Sequence, residues 1–142
     1  MSLPERARAS VVCVDASRLL CVQLRDPATG IARLFPPGGK IEPDESPLMA
    51  AEREALEETG YRVVADPARK CVAHYPYTWN GVERSIATHF FAARLADPEQ
   101  PPAPVDDVHY NETTIWLPID QLEQALGFQR DILAAVRSLL PI

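Results

Sequence analysis

The chemistry of this chain is concentrated in one stretch, residues 38–61: Gly-Gly-Lys-Ile-Glu-Pro-Asp-Glu-Ser-Pro-Leu-Met-Ala-Ala-Glu-Arg-Glu-Ala-Leu-Glu-Glu-Thr-Gly-Tyr. Ser46-Pro47 starts a helix, because serine caps well and proline suits the first helical position. Gly60 is its natural stop. At 100° per residue, Glu54, Glu57 and Glu58 project from one arc of about 100° on that helix, beside or opposite its apolar stripe. Glu54 and Glu58 stand four residues apart, where like charges cost a few tenths of a kcal/mol. The helix dipole also disfavours acids in the C-terminal half. A cation must offset this repulsion. Arg53 supplies one charge and a divalent metal supplies more, and hard carboxylate oxygens select Mg²⁺ or Mn²⁺. The plain alternative is a solvated acidic helix face. Against it stands the preceding Gly38-Gly39-Lys40, read as a turn able to bring backbone groups and a cation to a phosphate. Lys40 is equally a phosphate contact or a solvated lysine.

The elements around this stretch are those of a mixed α/β domain. Ala9–Val14 and Leu19–Leu24, joined by Asp15-Ala-Ser-Arg18, read as a hairpin buried on much of both faces. A short strand near Ile31–Phe35 ends at Pro36-Pro37-Gly38-Gly39. The helix runs from Ser46 to about Thr59 and packs on the sheet through Leu48, Ala51, Ala55 and Thr59. Strands are expected near 70–77, 85–95 and 113–117, with an exposed proline-rich loop over 96–107. A helical turn through Asp120–Leu126 and a last helix near Phe128–Leu140 close the chain. The last helix presents Ile132, Leu133, Val136, Leu139 and Leu140 to the core.

With 142 residues, 46% of them apolar and 24% charged, the sequence fits one soluble globular domain spanning 1–142. The net charge of −6 is local. Residues 42–58 hold seven acids and one base, and the rest of the chain holds 13 of each. That acidity argues against nucleic acid and anionic membranes as partners, which need basic surface. It leaves room for an anionic partner that arrives with a divalent cation. No apolar run is long enough to span a membrane. The polar N-terminus is expected to carry no secretory leader. Cys13, Cys21 and Cys71 show no C-x-x-C spacing and read as buried reduced thiols of a cytoplasmic protein.

Gly39, five residues, Glu45, seven residues, and then Arg53-Glu54-Ala55-Leu56-Glu57-Glu58-Thr59-Gly60-Tyr61 resembles the Nudix box, Gly-x5-Glu-x7-Arg-Glu-(aliphatic)-x-Glu-Glu-x-Gly-(aliphatic). Both glycines, the arginine and all four glutamates of the pattern are present. Ala55 and Tyr61 replace larger aliphatics, which concerns the seating of the helix and not its chemistry. The resemblance implies an α/β/α sandwich around a mixed sheet. It also implies Mg²⁺- or Mn²⁺-dependent hydrolysis of a nucleoside diphosphate linked to another moiety. By position, Glu54, Glu57 and Glu58 match the metal ligands, with the Gly38 carbonyl as a backbone ligand. Glu45 and Arg53 match the pair that orients loop and helix. The base in this family varies. Glu54 is the first choice, and Glu112, ahead of the Trp116 strand, is the outside candidate or else an ordinary surface carboxylate. Homodimers are common in the family.

The substrate is less legible. A proline or tyrosine some fifteen to eighteen residues past the box is associated in the family with ADP-ribose or dinucleoside polyphosphates. Here Tyr75-Pro76-Tyr77 supplies both cues, so nucleotide sugars, ADP-ribose, dinucleoside polyphosphates and nucleoside triphosphates all stay open. Tyr77, Trp79 and Phe35 could stack on a base, or pack in the core or rim. Arg33 and Arg25 could meet phosphate from strand ends. His74, His89 and His109 match no H-E-x-x-H site. Two rival readings are a catalytically silent Nudix module that senses a nucleotide, and a structural α/β protein whose acidic helix is solvated.

Overall fold

The computed structural model describes residues 5–105 and 111–141, with the backbone alone at Asn111 and Glu112. Seven strands form a mixed sheet: β1 (Glu5–Asp15), β2 (Arg18–Arg25), β3 (Ala32–Phe35), β4 (Gly38–Lys40), β5 (Val63–Trp79), β6 (Val82–Leu95) and β7 (Asn111–Pro118). Among the described residues three helices accompany them: α1 (Pro47–Thr59), α2 (Leu122–Leu126), reached through a 3₁₀ turn at Ile119–Gln121, and α3 (Arg130–Ser138). The strand order is β3-β2-β1-β6-β5, with β4 paired to β1 and β7 paired to β2.

β1 organises the site. It meets β2 only at the hairpin tip, Val14 with Leu19 and Asp15 with Arg18. The tip is tight enough to hold both Ala16 and Ser17 at positive φ. Below it β1 leaves β2 and runs parallel to β6, from Glu5 beside Ser85 to Cys13 beside Ala93. Its other edge accepts β4, pairing Arg8 with Lys40, Ala9 with Gly39 and Ser10 with Gly38. The expected Gly38-Gly39-Lys40 turn is therefore a short strand. Its two glycines are needed for close approach: a Cβ on Gly38 would fall 2.7 Å from Ser10 Oγ, and one on Gly39 would fall 2.6 Å from both carboxylate oxygens of Glu54.

Alternation along β1 sends Ala9, Val11 and Cys13 to one face and Val12 to the other. The first set packs under α1 with Ala50, Ala51, Ala55 and Phe91. Val12 joins Leu19, Phe90, Leu126, Ile132, Leu133 and Val136 under α2 and α3. Helices thus cover both faces, giving the expected α/β/α layering. α1 starts and stops where the sequence indicates. Ser46 accepts the Met49 N–H, and Gly60 closes the helix at φ 78° with its N–H on the Leu56 carbonyl. Such a cap contributes about 1 kcal/mol.

Several boundaries differ from expectation. β5 begins at Val63, with an irregular register between Ala65 and Lys70, and it turns into β6 at Asn80-Gly81, both at positive φ. α3 is shorter than residues 128–140 and Leu140 is only half-buried, whereas Ala135 joins the core. On α1, Ala50 and Glu58 are buried although the apolar stripe omitted them, and Leu48 is only half-buried. Cys13 and Cys21 are buried as expected, but Cys71 is half-exposed, its Sγ 3.7 Å from Ser138 Oγ.

Candidate functional site

The carboxylates of α1 sit in a network centred on Arg53. Its Nε and Nη2 donate to the two oxygens of Glu45 at 2.6 and 2.8 Å, and Nη2 also donates to the Lys40 carbonyl at 3.0 Å. Nη1 reaches Glu54 and Glu57, each at 3.0 Å. One guanidinium therefore ties helix α1, strand β4 and the loop carrying Glu45, a use that the planar five-donor fork suits and an ammonium does not. Glu45 in turn accepts the Glu42 N–H at 3.0 Å. Arg53 and this N–H hold the Glu45 carboxyl far below its ordinary range, at about 2. Glu45 raises the Arg53 pKa further still.

The three arc carboxylates are not equivalent. Glu58 is 8% exposed, and one of its oxygens accepts the Gly38 N–H at 2.7 Å. Glu57 is the outermost, with half its side chain exposed. Glu54 lies between them against Gly39. Burial pushes the Glu54 carboxyl up and Glu57 adds to the shift, while Arg53 opposes it. Among the described residues no three acid, thiol or imidazole groups form a ready-made cation cage. The donor set nonetheless fits a hard divalent cation. It consists of carboxylate oxygens, and the missing Cβ of Gly39 leaves the Glu54 head group its place beside β4.

Glu54, Glu58 and Gly38 border a cavity of about 410 Å³ on the face of the sheet that carries α3. That volume falls within the range of small-molecule sites. One wall is aromatic. Tyr77 stands edge-on to Phe35 at 6.0 Å, and Trp79 follows at the end of β5. Deeper in, Tyr75 shares a 2.9 Å hydrogen bond with Thr88. Arg6, Arg8 and Arg84 also line it, Arg84 beside Tyr77 in the β5–β6 register. Arg8 donates to the Gly38 carbonyl at 3.2 Å. Burial, together with the charges of Arg84 and Arg8, lowers the Arg6 pKa.

The structure brings together Glu45, Arg53, Glu54, Glu57, Glu58 and Gly38, and it places Tyr77, Trp79 and Phe35 on the cavity. Neither Lys40 nor Arg33 lines the cavity. Lys40 is exposed at the end of β4, outside the cavity lining, and Arg33 lies over the Phe128 ring at 4.7 Å. Arg25 donates to the Gly30 carbonyl. The Gly38 carbonyl is held by Arg8. The side chain of Glu112 and all of His109 lie outside the described residues, whereas His74 and His89 are strand residues. The two departures from the box pattern find ordinary packing: Ala55 is fully buried, and Tyr61 meets Trp116 edge-on at 5.5 Å.

Sequence reasoning missed the three arginines. Their signal was present as alternation, since Arg6, Arg8 and Ser10 point one way while Ala7, Ala9 and Val11 point the other. Arg84 joins them only through the parallel pairing of β1 with β6, a contact between residues nearly eighty positions apart.

Comparison with known proteins agrees with this architecture. The family model described as NUDIX domain matches residues 4–136. A NUDIX hydrolase from Nitrosomonas europaea superposes with a TM-score of 0.70 at 22% identity, covering 94% of this chain and 87% of that one. A MutT NUDIX hydrolase from Burkholderia pseudomallei gives 0.68 at 24% identity over 96% and 98%. An Ap4A hydrolase from C. elegans gives 0.69 at 18% identity over 94% and 93%. The chain belongs to the Nudix family.

Proposed function

We propose that this Nudix domain is a Mg²⁺- or Mn²⁺-dependent hydrolase that cleaves a phosphoric anhydride bond in a nucleoside diphosphate derivative by water attack. One observation carries the reading: Glu54 and Glu58 open onto a nucleotide-sized cavity with an aromatic wall, and Arg53 holds Glu54 and Glu57 at 3.0 Å. All four box glutamates are retained, which favours an enzyme over a binding-only module. The acidic helix is not a solvated face either, because Glu58 is buried against β4.

Glu54, Glu57, Glu58 and the Gly38 carbonyl are the oxygens that would hold the cation. When bound, it supplies charge neutralisation at the phosphoryl oxygens and a water of lowered pKa. Arg53 and Glu45 position the ligands, keeping α1, β4 and the intervening loop in register. Glu54, whose proton affinity is raised by burial, accepts the proton of the attacking water. Tyr77, Trp79 and Phe35 give the base an apolar surface to stack on.

The test is product release from ADP-ribose, nucleoside triphosphates, dinucleoside polyphosphates and nucleotide sugars with and without Mg²⁺. Metal-dependent cleavage of at least one of them is expected. No turnover of any of them with saturating Mg²⁺ or Mn²⁺ would overturn the proposal.

A further inference from the structure

Arg6, Arg8 and Arg84 face one another across two adjacent strands. Arg6 and Arg8 lie two residues apart on β1, about 6.6 Å along a strand. Arg84 lies two residues before Ile86, the β6 partner of Arg6, and opposite Tyr77 on β5. Among the described residues none of the three forms an ion pair. Arg8 has the Gly38 carbonyl and feels the Glu54 charge, and no carboxylate among the described residues forms an ion pair with the group. Arg8 and Arg84 are half-buried and Arg6 is exposed at the rim, so two of the three charges are held back from solvent. Like charges gathered on a cavity wall raise the energy of the empty site, and an anion lowers it.

Of the three, Arg8 is bonded to the reacting end through the Gly38 carbonyl, and Arg6 and Arg84 make no such bond among the described residues. Charge there is offset by Arg53 and, on the reading above, by a divalent cation. A diphosphate diester carries two negative charges, both at the bond to be broken. Three further guanidiniums, leading away from Gly38 along the sheet, match anionic oxygens that lie beyond that bond. Arginine is also the side chain best shaped for phosphate.

We propose that Arg6, Arg8 and Arg84 form a seat for a phosphate group outside the scissile bond, so that the preferred substrate is a nucleotide with three or more phosphoryl groups and not a diphosphate diester such as ADP-ribose. This rests on the hydrolase reading above for the word substrate, while the seat itself can be tested without turnover. In EDTA, calorimetric titration with inorganic tripolyphosphate should show binding that weakens at least tenfold in the R6Q/R84Q double variant and is largely kept in R6K/R84K. In Mg²⁺, the ratio of kcat/KM for nucleoside triphosphate over ADP-ribose should exceed ten in the parent chain and fall at least tenfold in R6Q/R84Q.

Equal tripolyphosphate affinity in the parent chain and R6Q/R84Q would overturn the seat. So would faster turnover of ADP-ribose than of any triphosphate, or equal losses on both substrates in the variant. A parent chain that cleaves nothing would sink the hydrolase reading instead, and the metal-free titration would still decide the seat.

Discussion

Two charged regions border the same cavity and treat charge in opposite ways. At the α1–β4 end, Glu45, Glu54 and Glu57 are all bonded to Arg53, and Glu58 takes a backbone N–H. On the β1–β6 face, three arginines have one carbonyl acceptor between them and no ion-paired acid among the described residues. The first region spends its hydrogen bonds on fixing its own geometry. The second leaves its donors for something else. The acidic cluster is tied in place before any cation arrives, whereas the arginines have donors left over for an anion, so the two should fail differently when cut.

The largest expected effect is at the acidic end. Glu57→Gln and Glu58→Gln should each lower kcat by about 10²–10³, the scale of losing one stabilising group at a reacting phosphoryl centre. The fold should persist, since glutamine at 58 can still accept the Gly38 N–H. Near-normal rates for both in saturating Mg²⁺ would break the assignment of the acids to the reaction. Gly39→Ala comes next. Its new Cβ displaces the Glu54 head group, and misplacement on the ångström scale costs about a hundredfold in kcat/KM. Circular dichroism should show the helices intact.

A smaller effect separates shape from ligand directly. Glu45→Gln should reduce stability in a pH-dependent way. The Glu45 carboxyl is held at about 2 in the folded chain against an ordinary 4.5. A lowered folded pKa stabilises above the unfolded value, so this contribution is complete above about pH 4.5 and is lost as pH falls from there toward 2. The stability gap between the parent and Glu45→Gln should therefore narrow on acidification in denaturant titrations. Arg6→Gln, by contrast, should shift stability by less than about 0.5 kcal/mol at neutral pH, because nothing in the fold depends on it. A large loss there would erase the distinction between the two regions. Smallest of all is a difference in thiol labelling. Burial raises Cys13 and Cys21 to about 12, so iodoacetamide near pH 8 should modify Cys71 first and reach the others only on unfolding.

Legibility in the sequence followed the range of the interactions. The caps of α1, Ser46 and Gly60, act within a few residues and could be read directly. So could the spacing of Glu45, Arg53, Glu54, Glu57 and Glu58, because a helix turns spacing into direction. The inward turn of Glu58 was not legible, since its partner is a backbone N–H twenty residues away. Nor was the strand character of Gly38–Lys40, where the local signal of two prolines and two glycines says turn, and the exposed edge of β1 supplies the ladder. The arginine wall needed the parallel β1–β6 register, which no local pattern encodes. Lys40 and Arg33 share sheet faces with the cavity residues Arg8 and Leu24, yet Lys40 is exposed outside the lining and Arg33 lies over the Phe128 ring, placements that spacing near the box does not encode.

The helix stop at Gly60 has a second occupant. Its carbonyl accepts the Ala103 N–H at 2.8 Å, a Cβ on Gly60 would meet the Ala103 backbone, and Gln100 bonds both main-chain groups of Arg62. The proline-rich segment that reads as an exposed loop is thus stitched, at two points, to the turn that follows Glu57 and Glu58. Chain can be added or removed between the stitches more safely than the stitches can be moved. Grafting a different loop into residues 96–105 should therefore keep a glutamine and a free backbone N–H in these places, or the last turn of the acidic helix loses its anchor.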